Sequence, residues 1–139
     1  MIKFRAFLKS TKDIREILVI DYLNRVVDLE GGEIEQYFED VILMQSTGLK
    51  DLKGVEIYEG DILKCTSGIY TNLGATRTGE YEETIKQVIW KDDSWGTRVI
   101  SSNLTSKGAE KSGLVISAKY AEIIGNIYEQ PELMEGASK

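Results

Sequence analysis

Apolar and polar positions alternate with a period of two over much of the chain. Ile2, Phe4, Ala6 and Leu8 interleave with Lys3, Arg5 and Phe7, the pattern of a strand with one face turned inward. Lys9–Asp13 is a polar turn. Ile14–Tyr22 follows, and its density of Ile, Leu and Val favours a strand over the helix that Ile14, Ile17, Leu18 and Tyr22 could also form. Leu23-Asn24-Arg25 reads as a tight turn, Arg25–Leu29 as a third strand and Gly31-Gly32 as its end. One helical turn is read over Glu33–Asp40, then a strand over Val41–Gln45.

The segment Gln45–Lys64 carries glycines at 48, 54 and 60, each suited to a turn that other residues resist. Gly60-Asp61 launches a strand at Ile62-Leu63-Lys64-Cys65. A phosphate-binding loop fails here, because the Gly-Lys-Ser/Thr ending is absent and no strong helix follows. Thr66–Glu80 reads as a long polar loop or ragged hairpin, Tyr81–Trp90 as a strand with a bulge near Gln87, and Trp95–Ile100 as the next strand. Ser101–Gly113 is a second polar loop. Leu114–Ser117 and Tyr120–Tyr128 supply the last strands, and Pro131 opens a short terminal helix. Short strands with turns every eight to twelve residues imply a mainly β fold with minor α, a small barrel or a compact sandwich.

Composition narrows the chemistry. The chain has 139 residues, 42% of them hydrophobic, enough for one packed core. It contains no histidine, which removes Ser-His-Asp and Cys-His catalysis and imidazole metal sites. Its single cysteine, Cys65, cannot form an intrachain disulfide and reads as a buried structural thiol. No catalytic residue, cofactor site or metal site is assigned, and the expectation is that the protein is not an enzyme. Asp92-Asp93 and Glu82-Glu83 read as solvated turn and strand charges rather than a metal or acid–base pair. The opening residues lack a secretory apolar run, and no stretch is long enough to span a bilayer. A cytoplasmic protein is therefore expected, and the sequon Asn103-Leu104-Thr105 is chance.

A net charge of −6 speaks against nucleic acid as the first partner. Basic residues nevertheless slightly outnumber acidic ones between Thr66 and Lys119, which leaves room for a local basic patch. The candidate partner-binding surface is Tyr70, Arg77, Trp95, Lys107 and Lys111, all in or beside the two polar loops. Trp90, Tyr58 and Tyr128 read as core or core-edge residues of the barrel.

Several segments, in order, resemble one family: Ile2-Lys3-Phe4-Arg5-Ala6-Phe7, Glu39–Gln45, Thr47-Gly48-Leu49-Lys50-Asp51, Glu56–Ile62, Val88-Ile89-Trp90, and Ile124–Glu129 with Pro131-Glu132-Leu133. Together they resemble the YopX-like proteins of bacteriophages and prophages. Phe7 stands where the family commonly has Trp, and Leu52-Lys53-Gly54 where an Asn-Gly turn is common. The resemblance implies an SH3-type barrel over residues 45–135 and an N-terminal β-rich segment over 1–44; the terminal position of residues 136–139 separately suggests a disordered tail. It implies a phage or prophage origin and expression in a bacterial host, and it brings no active site. The expected role is an accessory protein that binds a host or phage protein. Nucleic-acid binding through an aromatic, mildly basic loop face ranks second, and self-assembly as a homo-oligomer third; no membrane partner is expected.

Overall fold

The computed structural model describes residues 3–31, 34–71, 76–103, 106–114, 118 and 120–135, with backbone alone at 34, 67–71, 76–78, 80 and 81. Eleven strands account for most of these residues: β1 Phe4–Leu8, β2 Ile14–Asp21, β3 Val26–Leu29, β4 Ile34–Tyr37, β5 Val41–Lys50, β6 Glu56–Tyr58, β7 Asp61–Thr71, β8 Thr76–Lys91, β9 Ser94–Ser102, β10 Glu110–Ser112 and β11 Ala121–Asn126. They form two antiparallel sheets. One is six-stranded in the order β4-β3-β2-β1-β5-β6, the other five-stranded in the order β10-β9-β8-β7-β11. The fold is mainly β, as the alternation predicts, and in the described residues each sheet order has two ends rather than closing on itself.

Two apolar clusters hold the molecule. Ala6, Leu8, Val27, Leu29 and Val41 pack under the first sheet, with Ile17, Ile20 and Phe38 at their margin. Ile57, Leu63, Cys65, Val88, Leu114, Ala118 and Ala121 pack against the second, with Leu49, Trp95 and Ile123 around them. Cys65 is a buried free thiol within this second cluster. Fully burying a side chain such as Leu63 contributes roughly 1.5–3 kcal/mol.

β5 runs through both regions. Its first half pairs with β1, Leu8 opposite Val41 and Phe4 opposite Gln45. Its second half pairs with β6 through a register shift between Ser46 and Lys50. Gly48 sits at that irregularity with φ +77°, a conformation a side chain resists. The Thr47 hydroxyl fixes the bend. It donates to the Ile57 carbonyl (2.8 Å) and accepts the Leu49 N–H (3.1 Å), which delivers Leu49 to the second cluster.

Several sequence expectations change. Residues 34–37 form β4, paired with β3, and only Phe38–Asp40 make a 3-10 turn. A free edge on β3 draws the chain into a ladder that a helical turn would leave unpaired. Of the two readings of Thr66–Glu80, a long loop or a ragged hairpin, the hairpin holds: the stretch lies mostly in the β7–β8 ladder, whose pairing continues out to Thr71 opposite Thr76. Backbone pairing needs no apolar alternation, so the strand signal is weak there. β10, within the second expected loop, pairs with β9. The ladder irregularity lies between Ile85 and Lys86, close to the bulge expected near Gln87. Leu114 and Ala118 are helical rather than extended. Four residues apart, they fall on one helix face, and both are buried in the second cluster. Pro131–Glu135 forms the expected short terminal helix, of 3-10 type. The tail expected at 136–139 lies outside the described residues.

Candidate functional site

Three buried polar residues of the family-like segments, Asp51, Asp61 and Asn126, are structural. Asp51 is 7% exposed, and its carboxylate caps the turn that follows β5. One oxygen accepts the N–H groups of Lys53 and Val55, both at 2.9 Å; the other accepts the Ile123 N–H at 3.0 Å. Burial alone would raise the Asp51 pKa, but the N–H groups of Ile123, Val55 and Lys53 outweigh it and hold the carboxyl below its ordinary value. Asp61 is buried at the junction of the sheets. It accepts the Tyr58 N–H (2.7 Å) and forms an ion pair with Arg5 of β1, whose guanidinium lies 4.3 Å from the Tyr58 ring centre. Here burial dominates, and the Asp61 pKa is raised despite the Arg5 charge. Asn126 accepts the N–H groups of Tyr128 (3.0 Å) and Glu129 (2.8 Å) and shapes the exit from β11. Gly125 allows that exit: a Cβ there would lie 2.6 Å from Gln130 Oε1.

The surface feature with recognition chemistry lies at the β8–β9 turn of the second sheet. β8 and β9 are joined by the two-residue turn Asp92-Asp93, with Asp92 at φ 58°. The turn is tight, so Trp90 faces Trp95 across the ladder, their rings meeting edge to face at 4.9 Å. Trp95 packs onto the second cluster, whereas Trp90 is 52% exposed, which corrects its assignment to the core. Tyr58 is buried as expected, and Tyr128 is half-buried and stacked on Phe7 at 5.5 Å. The tryptophans, Thr47, Leu49, Asp93 and Leu114 border an open groove of about 380 Å³. Asp92 and Asp93 are exposed on its turn.

The structure separates the five residues read from the sequence. Tyr70 and Arg77 pair in backbone register near the far end of the β7–β8 hairpin, and their side chains lie outside the described residues. At about 3.3 Å per residue, the path along β8 from Arg77 to Trp90 is roughly 40 Å. Trp95 lines the groove. Lys111 projects from β10, and Lys107 is exposed in the turn before it. The charge around β10 is mixed. Glu110 pairs with Arg98 (2.7 Å) and Lys91 (3.3 Å), and Arg98 first, then Lys91, lower its pKa. The residue the sequence reading missed is Trp90. The spacing Trp90-Lys91-Asp92-Asp93-Ser94-Trp95 held the signal, since a two-residue hairpin turn forces such a pair to face each other.

A family model described as YopX protein matches residues 3–135. The chain belongs to that family. The YopX assignment spans both sheets, and the segments that carried the resemblance contain the capping residues Asp51, Asp61 and Asn126. The crystal structure of protein EF1440 from Enterococcus faecalis is similar, with a TM-score of 0.56 and 24% sequence identity, over 97% of this chain and 99% of that one. That likeness is one of fold. No curated protein matches the chain. Among the described residues of this YopX protein, no group of three or more His, Cys, Asp or Glu side chains could hold a metal ion, and no helix is long and apolar enough to cross a membrane.

Proposed function

We propose that this YopX protein is a non-enzymatic phage or prophage accessory protein that works in the bacterial cytoplasm by binding a host or phage protein through the Trp90–Trp95 groove. The observation that carries the reading is the half-exposed indole of Trp90, held by Trp95 beside an open groove. An exposed tryptophan on a rigid hairpin is a favourable anchor for a protein partner, because it buries a large area on contact at little entropic cost. The SH3-type reading of the second sheet belongs to the same proposal. Its support is the Leu52 N–H bond to the Ala121 carbonyl (2.9 Å), which ties the chain after β5 to β11.

Crosslinking mass spectrometry in infected cells tests the proposal. Wild-type protein should give crosslinks from Lys91 or Lys111 to a defined partner. Trp90→Ala, folded as judged by an unchanged unfolding midpoint, should lose them. An identical crosslink profile for the two proteins would sink the assignment of the groove.

A second reading, self-association, has its own observation. Leu18, Val19, Tyr22, Leu23 and Tyr37 are all more than half exposed on or beside the β2–β3 hairpin and the edge strand β4. Light scattering that returns a strict monomer at every concentration would remove it.

A further inference from the structure

We propose that the hollow between β7, β8, β9 and β10 binds a small oxyanion, a phosphate or carboxylate group, held by Lys86 and Lys111 and oriented by the hydroxyls of Thr84 and Thr97. Strand register brings these groups together. Thr84 lies opposite Cys65, Lys86 opposite Val99, and Thr97 opposite Lys111. All six line one cavity of about 200 Å³. A cavity of about 150 Å³ holds benzene, so this one has room for a phosphate or a short dicarboxylate, but not for a nucleoside.

The two hydroxyls differ in availability. Thr84 and Thr97 are each only 3% exposed. The Thr84 hydroxyl reaches Ser102 at a long 3.3 Å, and the Thr97 side chain makes no hydrogen bond among the described residues. The Thr97 hydroxyl is therefore free to donate to a bound anion, whereas the Thr84 hydroxyl would have to turn away from Ser102 to do so. Lys86 is partly buried and forms no ion pair among the described residues. Its charge is felt at the Cys65 thiol on the cavity wall, where it opposes the upward shift caused by burial.

The two carboxylates that also border the cavity are engaged. Glu110 is held by Arg98 and Lys91, and Glu82 accepts the Ser102 hydroxyl at 3.3 Å. Lys86, Lys111, Lys91 and Arg98 outweigh Glu82 and Glu110, so the charge around the cavity is net positive. Lysine ammoniums supply it as mobile point charges, and the threonine hydroxyls add direction.

The test is an amide NMR titration of the full chain with sodium phosphate and, separately, sodium malonate, with sodium chloride holding ionic strength constant. Modification of Cys65 by a thiol reagent gives a second readout. Saturable shifts at Thr84, Lys86 and Thr97, with slower Cys65 modification, are expected. Lys86→Met should weaken binding about ten-fold or more, as loss of a charged hydrogen-bonding partner implies. Response to phosphate alone assigns a phosphoryl ligand, and response to malonate alone a carboxylate; either upholds the site. Shifts no larger than those from chloride would overturn it, as would undiminished affinity in Lys86→Met. If that variant does not fold, Thr97→Val decides: unchanged affinity there overturns the proposal.

Discussion

Replacing Asp51 by alanine removes the acceptor of three backbone N–H groups, those of Lys53, Val55 and Ile123. Hydrogen bonds to a charged group contribute about 1.5–3 kcal/mol each, and such values do not simply add. Val55 is about half exposed, so water can replace the carboxylate in the turn. The Ile123 bond joins the turn to β11 and has no such substitute. A net loss of about 3 kcal/mol follows, a large share of the 5–15 kcal/mol typical of a domain. With a urea slope of about 2 kcal/mol/M, the midpoint should fall by roughly 1.5 M. Equilibrium unfolding followed by tryptophan fluorescence reads this directly. Asp51→Asn should lose less, because the amide oxygen can still accept from Lys53 and Val55 while its NH2 group opposes the Ile123 N–H. The pH dependence adds a sign. The folded pKa lies below the unfolded one, so this stabilisation is complete above about pH 4 and disappears as pH falls through the folded value. The stability gap between wild type and Asp51→Asn should therefore narrow in acid. A midpoint shift for Asp51→Ala below about 0.3 M, or a gap that widens in acid, would refute the reasoning.

Three further outcomes are expected. Gly60→Ala should destabilise by about 1–3 kcal/mol in urea unfolding, because φ is +88° and the new Cβ would lie 3.1 Å from the Tyr128 ring and 3.4 Å from Met44. Arg5→Met and Asp61→Leu should each cost about 3–5 kcal/mol, while the double variant should recover part of that loss in a double-mutant cycle, since a lone buried charge is worse than none. Trp90→Ala should change thermal stability little, whereas Trp95→Ala, which removes a ring from the second cluster, should cost about 3 kcal/mol or more; equal losses would contradict their placement.

The strands were legible where one face is buried. Phe4–Leu8 and Val41–Gln45 alternate because their inner side chains meet a core, and the pattern records that contact. The outer β7–β8 ladder was legible only as one of two alternatives, loop or ragged hairpin, because main-chain pairing leaves no period in its Thr-, Ser- and Gly-rich side chains. Leu114–Ser117 looked extended because β-branched residues crowd it; residues 115–117 lie outside the described residues, and Leu114 itself is helical and buried in the second cluster. At the groove, Trp95 was legible as a residue beside a loop. Trp90 was not, because burial was inferred from residue type, while the hairpin turn decides which way the indole faces. Lys86, Thr84 and Thr97 converge only through a ladder register that one sequence does not state.

The two ends of the described chain close onto strands made well apart from them. Arg5 in β1 waits for Asp61, and the turn at Asp51 waits for Ile123 in β11, which follows the long hairpin, β9 and β10 in the chain before pairing with β7. On a ribosome, the capping network of Asp51 cannot be completed until β11 has left the exit tunnel. From the emergence of β7 until that of β11, the nascent chain therefore carries an unpaired β7 edge, a place where a foreign strand could pair.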